Sequence, residues 1–555
     1  MPSRSPRHAG GRVRSLASET VPMNTTRRRS LRPWFLAASL IGLGNLTAAA
    51  QEPFQGLDAY VNQALATWHV PGISIAIVRN DSVLYTKGYG VRAFGSPATV
   101  DDHTLFEIGS SSKAFTATIV AMLVGDGKMR WDAHVSDYLP GFRLYDPYAS
   151  AELTVRDALT HRSGLARGEL VWLGAGISRD EVLRRIRYLK PSWGFRSRFG
   201  YQNMMYLAAG EAAAKAAGTT WDDLVTKRIF EPLGMTSSVT SMPKDNGPNL
   251  ASPHTASHDT VHTLARSSLE DIAPAGSINS NARDMAQWLR FQLGDGMYNG
   301  KRLVSSAALK VTHTPQTIIG PGELGPPDSL VTFNTYGMGW IVEDFRHELV
   351  WQHGGNTLGM TAAVGMMPEH KFGIVVLSNM AGSQLPGILM DYIFERQLGL
   401  PKRDISAEAY ARYAVQLRRA DSAEKAQLAL RAPGGKPPFA LSAYAATYSD
   451  SLYGDATVSV QDDHLVLSRG EWKGPLTYWN DENFRWSELG MFVKFEVAPT
   501  GTISGMTFGL PGDVSTLTRK QQRPTSAATR DALVPQKPGE KVLHAAEGHQ
   551  PPAMQ

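Results

Sequence analysis

The sequence predicts an α+β fold, with an antiparallel sheet flanked by helices, followed by a small all-β, barrel-like domain. A run rich in β-branched residues, 73–78, is followed by a turn and by a returning strand at 83–90, which together predict a β-hairpin. Three consecutive strands predicted within 347–377 suggest an antiparallel meander. Because the segments between these regions have the apolar spacing of helices, we expect strands and helices to share one domain.

The C-terminal part has a different pattern. Residues 442–519 contain short strand-forming runs, dense aromatic residues and frequent turns, which indicates a small barrel. At 555 residues, with 42% hydrophobic and 19% charged residues, the chain is long enough for two or three globular domains. We expect a leader and signal peptide (1–50), the α+β domain (51–400), a charged helix and Pro/Gly-rich linker (401–440), the β domain (441–520) and a disordered tail (521–555).

The first fifty residues have the features of an export signal. Arginines at 27–29 and 32 precede the uncharged, mostly apolar run 34–46, and the alanines at 48–50 fit a cleavage site near Ala50. The apolar run is shorter than the roughly 20 residues of a membrane span. We therefore expect a periplasmic or secreted protein without a stable membrane span, an uncleaved N-terminal anchor being the alternative. Met23 is an alternative start to Met1.

Charge and cysteine content exclude several classes of function. Residues 1–50 carry eight arginines and one acid, a charge of +7, whereas the whole chain carries +5, so residues 51–555 carry −2. A nearly neutral mature protein has no electrostatic support for nucleic-acid binding. The chain has no cysteine, which excludes disulfides, thiolate metal sites and cysteine nucleophiles. These patterns do not determine the oligomeric state.

Apolar residues recur at helical spacing through the first domain, at 55–68, 178–189, 201–217, 221–233 and 282–293. A short helix capped by Thr154 is expected to end near His161. His161 is a possible catalytic residue, but a buried structural histidine is the favoured interpretation.

Three histidines, His254, His258 and His262, are spaced by four, as metal ligands on a helix can be. Pro253 and the lack of neighbouring carboxylates favour a loop at the rim of a site instead. We therefore expect no metal and no other cofactor, and we expect loops 166–200 and 237–270 to wall the site.

The strongest chemical signal lies at the start of one helix. From Lys113 to Val124 the residues are almost all apolar or small, which predicts a helix buried on every side. Ser110 precedes Lys113 by three positions, so the two share one face. Because burial disfavours a charged lysine, Lys113 could accept the Ser110 proton and create a nucleophile.

Two further short patterns follow in chain order, Tyr201-x-Asn203 and His353-x-Gly355. Each pattern is weak alone, and Ser-x-x-Lys recurs at 241–244 in a polar loop and at 422–425 on the charged helix. The three patterns occur in a fixed chain order, each at an expected boundary of a helix or strand. We call them the ordered set, and together they identify a catalytic site much more specifically than any one of them alone.

The ordered set resembles the serine β-lactamase and penicillin-binding protein superfamily, nearest to its branch of class C β-lactamases, D-Ala-D-Ala carboxypeptidases and esterases. Other stretches of the same branch are 70–72, 159–165, 231–235 and 274–276. The resemblance covers about residues 55–400 and implies a β-lactamase/transpeptidase-like domain with an additional helical lobe. The region after 440 resembles a lipocalin-like domain appended to some members.

The resemblance implies a role for each residue. Ser110 would form an acyl-enzyme, and Tyr201, as a phenolate or through Lys113, would take the serine proton and pass it to the leaving group. Asn203 would bond to Lys113 and to the substrate amide. Gly354 and Gly355 would let the substrate lie along the strand, and the N–H groups of Ser110 and Asn356 would form the oxyanion hole.

His353 stands where many relatives carry lysine. A lysine there is a permanent cation for a substrate carboxylate, whereas histidine is only partly charged near neutral pH. We therefore rank an exported hydrolase of esters or D-amino-acid peptides and amides above a β-lactamase or D-Ala-D-Ala carboxypeptidase.

Other classes remain for comparison. An α/β-hydrolase needs Gly-x-Ser-x-Gly and a zinc peptidase His-Glu-x-x-His, and the sequence contains neither. The non-enzyme alternative is a penicillin-binding sensor that is acylated and does not turn over.

Overall fold

The computed structural model describes residues 54–242, 249–257, 260–323, 331–431, 434–486, 489–510 and 513–520. The expected leader (1–50) and tail (521–555) lie outside these residues. From Gly56 onward the chain forms one unit, which contains both the α+β part and the barrel. Among the helices of the described ranges, none is long and apolar enough to cross a bilayer.

The main sheet has eight antiparallel strands. In chain order they are β1 (Gly72–Arg79), β2 (Ser82–Gly90), β3 (Thr317–Ile318), β4 (Val331–Tyr336), β5 (Ile341–Phe345), β6 (Glu348–Asn356), β7 (Thr361–Met367) and β8 (Phe372–Ser378). Across the sheet the order is β2-β1-β8-β7-β6-β5-β4-β3. The hairpin β1–β2 and the meander β6–β7–β8 confirm the expected fold class. The sequence analysis did not predict strands β3 to β5. Strands β3 and β4 bury few residues, and in β4 only Tyr336 is fully buried.

The described residues form six longer helices: α1 (Leu57–Trp68), α2 (Ser112–Gly125), α3 (Asn203–Ala217), α4 (Ala282–Leu293), α5 (Leu385–Gln397) and α6 (Ile405–Ala429). Helix α4 packs on β1 and β8, and α5 packs on β7 and β8. Every residue of β7 and β8 is buried, as expected for strands covered on both faces.

Shorter elements complete the α+β part. The short helices are Val135–Tyr138, Pro147–Glu152, Val155–Leu159, Arg179–Arg185, Trp221–Val225, Glu231–Leu233, Ala273–Gly276 and Ser306–Thr312. The 3₁₀ turns are Gly109–Ser111, Glu169–Val171, Ile186–Tyr188 and Glu270–Ile272, and Thr226–Phe230 is a π-helical turn. Two-stranded ribbons pair Phe106–Glu107 with Asn279–Ser280, His254–Ser257 with Thr260–Thr263, and Met297–Tyr298 with Lys301–Arg302.

Helix α2 is the buried helix that the sequence predicts. Every residue from Ser112 to Leu123 is buried. The Phe115 ring stacks on Trp288 at 3.8 Å, and Thr116 donates a hydrogen bond of 2.7 Å to the Pro274 carbonyl. Packing on all sides leaves the N-terminal end of α2 as the part of this helix that can reach a pocket.

The C-terminal region is a closed barrel of eight antiparallel strands: β9 (Ala446–Asp450), β10 (Gly454–Gln461), β11 (His464–Arg469), β12 (Trp472–Asn480), β13 (Asn483–Trp486), β14 (Met491–Val497), β15 (Ile503–Leu510) and β16 (Asp513–Arg519). Strand β9 closes the ring by pairing with β16. Buried and exposed residues alternate in β14 and β16, which places one face inside. Aromatic residues, including Tyr444, Phe484, Trp486 and Phe495, fill the interior.

Candidate active site

The candidate nucleophile lies at the junction of a 3₁₀ turn and helix α2. Ser110 is in the middle of the turn Gly109–Ser111, directly before α2 begins. Its Oγ lies 3.0 Å from Lys113 Nζ and accepts a hydrogen bond of 2.7 Å from the Tyr201 hydroxyl. The structure therefore brings together three residues that the sequence separates by up to 91 positions.

Lys113 has the environment of a neutral amine. Its side chain is fully buried, and burial lowers its pKa well below the usual value of 10.5. Nζ donates to Asn203 Oδ1 (2.7 Å) and to the Ala275 carbonyl (2.8 Å). These bonds use two N–H groups, so the lone pair of the neutral amine can face Ser110 Oγ. Lys113 is thus oriented to accept the serine proton.

Tyr201 is not poised as a phenolate. Burial raises the pKa of its hydroxyl, and the hydrogen bond to Ser110 only partly offsets this effect. Of the two routes implied by the resemblance, the phenolate is therefore disfavoured in the resting site. The geometry favours proton transfer through Lys113, with Tyr201 as a neutral donor to Ser110.

Asn203 links the lysine to a pair of charged residues that the sequence analysis missed. Its Nδ2 donates to Glu169 Oε2 at 3.1 Å, and Arg167 Nη1 lies 3.0 Å from Glu169 Oε1. The Arg167 guanidinium lies over the Tyr201 ring, 4.6 Å from its centroid. Both residues fall in the loop 166–200 expected to wall the site, but neither has a motif that would have singled it out.

Strand β6 ends beside the nucleophile. Its pairing with β5 stops at Gln352, whereas its pairing with β7 continues to Asn356. A Cβ on Gly355 would lie 1.8 Å from the Ile108 carbonyl oxygen, so only glycine allows the strand to approach the serine turn this closely. Residues 353–356 therefore lie next to Ser110 with no β5 partner, as an extended substrate would require.

His353 does not present a cation to the pocket. Burial lowers its pKa to about 3, with a smaller contribution from Lys113. One ring nitrogen, Nε2, lies 3.0 Å from the Tyr336 hydroxyl, and Nδ1 lies 2.6 Å from the Gly354 carbonyl. A neutral ring with N–H on Nδ1 satisfies both contacts. The expectation of a partly charged histidine is wrong, because the side chain is only 4% exposed.

His161 is buried next to this site. Its Nδ1 accepts a hydrogen bond of 3.1 Å from the Gln202 amide, and its ring lies 4.4 Å from that of Tyr201. Burial lowers the pKa of His161 well below its usual value. This packing matches the favoured interpretation, a structural histidine, which here supports the segment that carries Tyr201.

These residues border a pocket of about 1450 Å³. Ser110, Tyr201, Asn203, His353, Gly354 and Asn356 line it, and Lys113 lies buried beside them. Arg167, Glu169, Trp172, Leu173 and Leu269 also line it, which places parts of both expected wall loops at the site. The sequence analysis missed two further walls, which are residues 318–323 with 331–335, and residues 382–384 with Gly387, Met390 and Asp391.

The histidine series does not form a metal site on a helix. His254 and His262 lie in the ribbon His254–Ser257/Thr260–Thr263, and His258 lies outside the described residues. The His254 ring is 2.8 Å from the Asn379 carbonyl and accepts a hydrogen bond from Phe94 N–H. Within the described ranges, no group of three or more histidine and acidic residues is placed to hold a metal ion.

Comparison with known proteins agrees with this geometry. The beta-lactamase family model matches residues 57–395, more than half of the chain. The chain belongs to the beta-lactamase family. A second model, a domain of unknown function (DUF3471), matches residues 430–522, the region of the barrel.

Individual beta-lactamase-family relatives are distant. Unguisins hydrolase ungD of Aspergillus violaceofuscus is 27% identical over 383 residues, 63% of this chain and 66% of the relative. Protein flp of Staphylococcus aureus (strain NCTC 8325 / PS 47) is 24% identical over 353 residues, 60% of this chain and 65% of the relative. The matches thus span just under two thirds of each curated relative.

A solved structure shows the same fold. The octameric penicillin-binding protein homologue from Pyrococcus abyssi superimposes with a TM-score of 0.56 and 21% identity, over 82% of this chain and 97% of that chain. Membership in the beta-lactamase family supports a serine hydrolase.

Proposed function

We propose that this protein is an exported serine hydrolase that forms an acyl-enzyme on Ser110 and cleaves esters or D-amino-acid peptides and amides. The observation that carries the proposal is the fully buried Lys113, whose Nζ lies 3.0 Å from Ser110 Oγ while Asn203 and Ala275 occupy its other polar contacts. This arrangement gives a serine a neutral amine base at neutral pH.

Acylation follows from the contacts around Ser110. The Oγ proton passes to Lys113 Nζ as Oγ bonds to the acyl carbon of the substrate, and the carbonyl oxygen becomes an oxyanion. The N–H groups of Ser110 and Asn356 would stabilise that charge, each by about 3–4 kcal/mol. The tetrahedral intermediate then breaks the bond to the leaving group, which takes the Tyr201 proton, and Lys113 returns its proton to the Tyr201 oxygen, so that both side chains end neutral.

Hydrolysis of the acyl-enzyme repeats these steps with water. Water gives one proton to the Lys113–Tyr201 pair, and its oxygen bonds to the acyl carbon. The Ser110 ester bond breaks, Oγ recovers the proton, and the carboxylic acid leaves. Steady turnover of an ester would separate this enzyme from the penicillin-binding sensor, which would label once and stop.

The neutral state of His353 supports the ranking of substrates. An ester or an amide without a free carboxylate beside the scissile bond needs no cation at this position. The edge of strand β6 is still available to the substrate backbone, because residues 353–356 have no β5 partner.

A second candidate, a β-lactamase or D-Ala-D-Ala carboxypeptidase, is favoured by one observation. Arg167 lines the pocket, and its side chain is 55% exposed. It could take the place of the missing lysine as a carboxylate ligand. Its ion pair with Glu169 weakens this candidate, since part of its charge is already neutralised.

The first experiment compares covalent labelling and turnover. Wild type and Ser110→Ala are incubated with a fluorophosphonate and with a labelled penicillin, and intact mass is measured. We expect a mass increase only in wild type, with steady hydrolysis of aryl esters exceeding that of nitrocefin. The matched control is Ser422→Ala, which removes the serine of a Ser-x-x-Lys pattern on exposed helix α6. Equal labelling of wild type and Ser110→Ala would refute the proposal.

Export is tested separately. The full chain is expressed in a bacterial host, the envelope and medium are fractionated, and the N-terminus of the mature protein is sequenced. We expect a new N-terminus near Gln51; a protein retained in the cytoplasm with residues 1–50 intact would contradict export.

A further inference from the structure

One short segment connects the active site to the barrel. We call residues 167–176 the bridging segment; it contains the 3₁₀ turn Glu169–Val171. Glu169 points to the active site, where it accepts a hydrogen bond from Asn203. The next residue, Leu170, is fully buried and belongs to the apolar core of the barrel. Val171 and Trp172 return to the core of the α+β part.

The barrel holds the backbone of this segment with buried charged groups. Asp513 Oδ2 accepts a hydrogen bond of 2.8 Å from Leu170 N–H, and Arg469 donates to the carbonyls of Leu170 and Leu173. Asp513 and Arg469 are 8% and 3% exposed. Burying a charge is costly unless it is hydrogen-bonded, so these two groups favour the docked segment strongly over a free one.

The backbones of the two parts also meet without space for side chains. A Cβ on Gly174 would lie 2.1 Å from the Trp472 ring, and a Cβ on Gly470 would lie 2.2 Å from the Gly174 carbonyl. The Glu471 amide donates to that carbonyl at 2.9 Å. Contacts of this closeness fix the position of the segment relative to the barrel.

We propose that the barrel is a positioning element of the active site: by holding Leu170 it places Glu169 and Arg167 against Asn203 and Tyr201. Leu170, Asp513 and Arg469 are positioning residues in this scheme, because they act through Glu169 and do not line the pocket. The inference rests on the proposed function of Ser110, and it assigns to the barrel region a role in catalysis at a site on the other domain.

The mechanism predicts which step suffers when the segment is released. Asn203 would lose its acidic partner, and Lys113 would lose a defined acceptor, so the serine–lysine geometry would loosen. A displacement of about 1 Å in such a site can cost about a hundredfold in rate. We therefore expect a fall in kcat larger than any change in KM for a small ester.

The test uses the full chain and a double-mutant cycle. Leu170→Ala removes the side chain that anchors the segment in the barrel core and keeps the main-chain hydrogen bonds. It is compared with Leu465→Ala, which removes an equally buried leucine of the barrel core outside the segment. Leu170→Ala should lower kcat by about tenfold or more. Leu170→Met, which refills the site with a side chain of similar size, should retain most of the wild-type kcat. Leu465→Ala should have a kcat close to that of wild type. Thermal unfolding of each variant reports the accompanying loss of stability.

The cycle separates positioning from stability. In a Glu169→Gln background, Leu170→Ala should cause little further loss of kcat, because the residue through which it acts is already altered. Equal losses with Leu170→Ala and Leu465→Ala, or full additivity with Glu169→Gln, would overturn the inference. Fluorophosphonate labelling of the wild type at Ser110 is the separate check; its absence would refute the proposed function instead.

Discussion

At the scale of single residues, burial sets the chemistry of the site. Lys113 is a fully buried amine with a lowered pKa, and His353 is a buried imidazole with a pKa of about 3. Both groups are therefore neutral when the enzyme is expected to act, and a cation is absent where many family members carry one. In the proposed mechanism, the chemistry of Ser110 consequently depends on the lone pair of Lys113 and on the donor Tyr201.

Replacing the base tests this account. Lys113→Met keeps the length of the side chain and removes the proton acceptor, so kcat should fall by at least about a hundredfold. Rapid-quench measurement of acyl-enzyme formation with an aryl ester checks the result. Lys425→Met removes the lysine of the pattern on α6, where Nζ pairs with Asp421 and is exposed, and should leave the rate unchanged. A normal acylation burst in Lys113→Met would contradict the role.

Buried histidines should make the protein acid-sensitive. His313 stacks on Trp351 at 3.9 Å, and burial lowers its pKa from 6.5 to about 3. Between these pH values the unfolded chain binds a proton that the folded protein does not, so stability falls as the pH falls. His313→Phe keeps the stacking and should remove up to about 1.4 kcal/mol of this loss per pH unit.

The measurement is the free energy of urea unfolding between pH 4 and pH 7. His464→Phe, at an exposed position on the barrel, is the control. If the pH dependence of His313→Phe runs parallel to that of wild type, His313 does not contribute.

At the scale of elements, the site depends on a close approach between strand β6 and the turn before α2. Gly355 leaves no room for a side chain beside the Ile108 carbonyl. Gly109, at φ 51°, faces Asn356 from the other side, where an added Cβ would lie 2.7 Å from the Asn356 amide nitrogen. These two glycines bring the expected oxyanion donors of Ser110 and Asn356 near each other.

Adding one methyl group should separate these elements. Gly355→Ala should displace β6 from the serine turn and slow fluorophosphonate labelling of Ser110 by about tenfold or more. The control Gly194→Ala lies outside the pocket lining, adds a Cβ that would lie 3.7 Å from the Ser197 side chain, an ordinary contact, and should label close to the wild-type rate. Similar labelling of both variants would show that the close approach is not required.

At the scale of the whole molecule, the barrel and the α+β part meet beside the pocket through charged groups as well as through the bridging segment. Asp271 lies in the turn Glu270–Ile272. Ile272 and Leu269, the residue before the turn, line the pocket. Burial, together with the charge of Glu471 on the barrel, raises the pKa of Asp271 to about 7. Arg179 has a smaller, opposite effect.

This contact predicts a loss of stability as the pH rises from about 4 to about 7. The folded protein retains the Asp271 proton up to about pH 7, whereas the unfolded chain releases it near 3.8, so stability falls as the pH rises between these values. Asp271→Asn should be more stable than wild type at pH 8, and the difference should shrink by up to about 1.4 kcal/mol per pH unit toward pH 4. Urea unfolding at pH 5 and pH 8 measures it.

Glu471→Gln provides the complementary variant. It should raise the stability at pH 8 by a smaller amount than Asp271→Asn does. The Asp271 carboxyl is still buried in this variant, and burial is the larger cause of its raised pKa. A constant difference between Asp271→Asn and wild type at every pH would contradict the assignment.

The sequence by itself determined the fold class, the barrel and the likeness of Ser110, Lys113, Tyr201 and Asn203 to a known hydrolase family. Period-2 and period-3.6 patterns report which face of a strand or helix is buried, and short motifs report residues that are close along the chain. Helix α2, the hairpin β1–β2 and the meander β6–β8 have strong patterns of this kind, whereas β4, with one fully buried residue, does not.

Only the tertiary structure decided the charge states of the buried site residues and the residues that they contact. Burial of His353 and the hydrogen bond of Tyr336 to it depend on residues 17 positions apart that meet across the sheet. The contacts of Leu170 with Asp513 and Arg469 join residues about 300 or more positions apart. Such contacts have no spacing that a sequence pattern can report, because they arise from packing between elements, and packing is also what sets the pKa of each buried group.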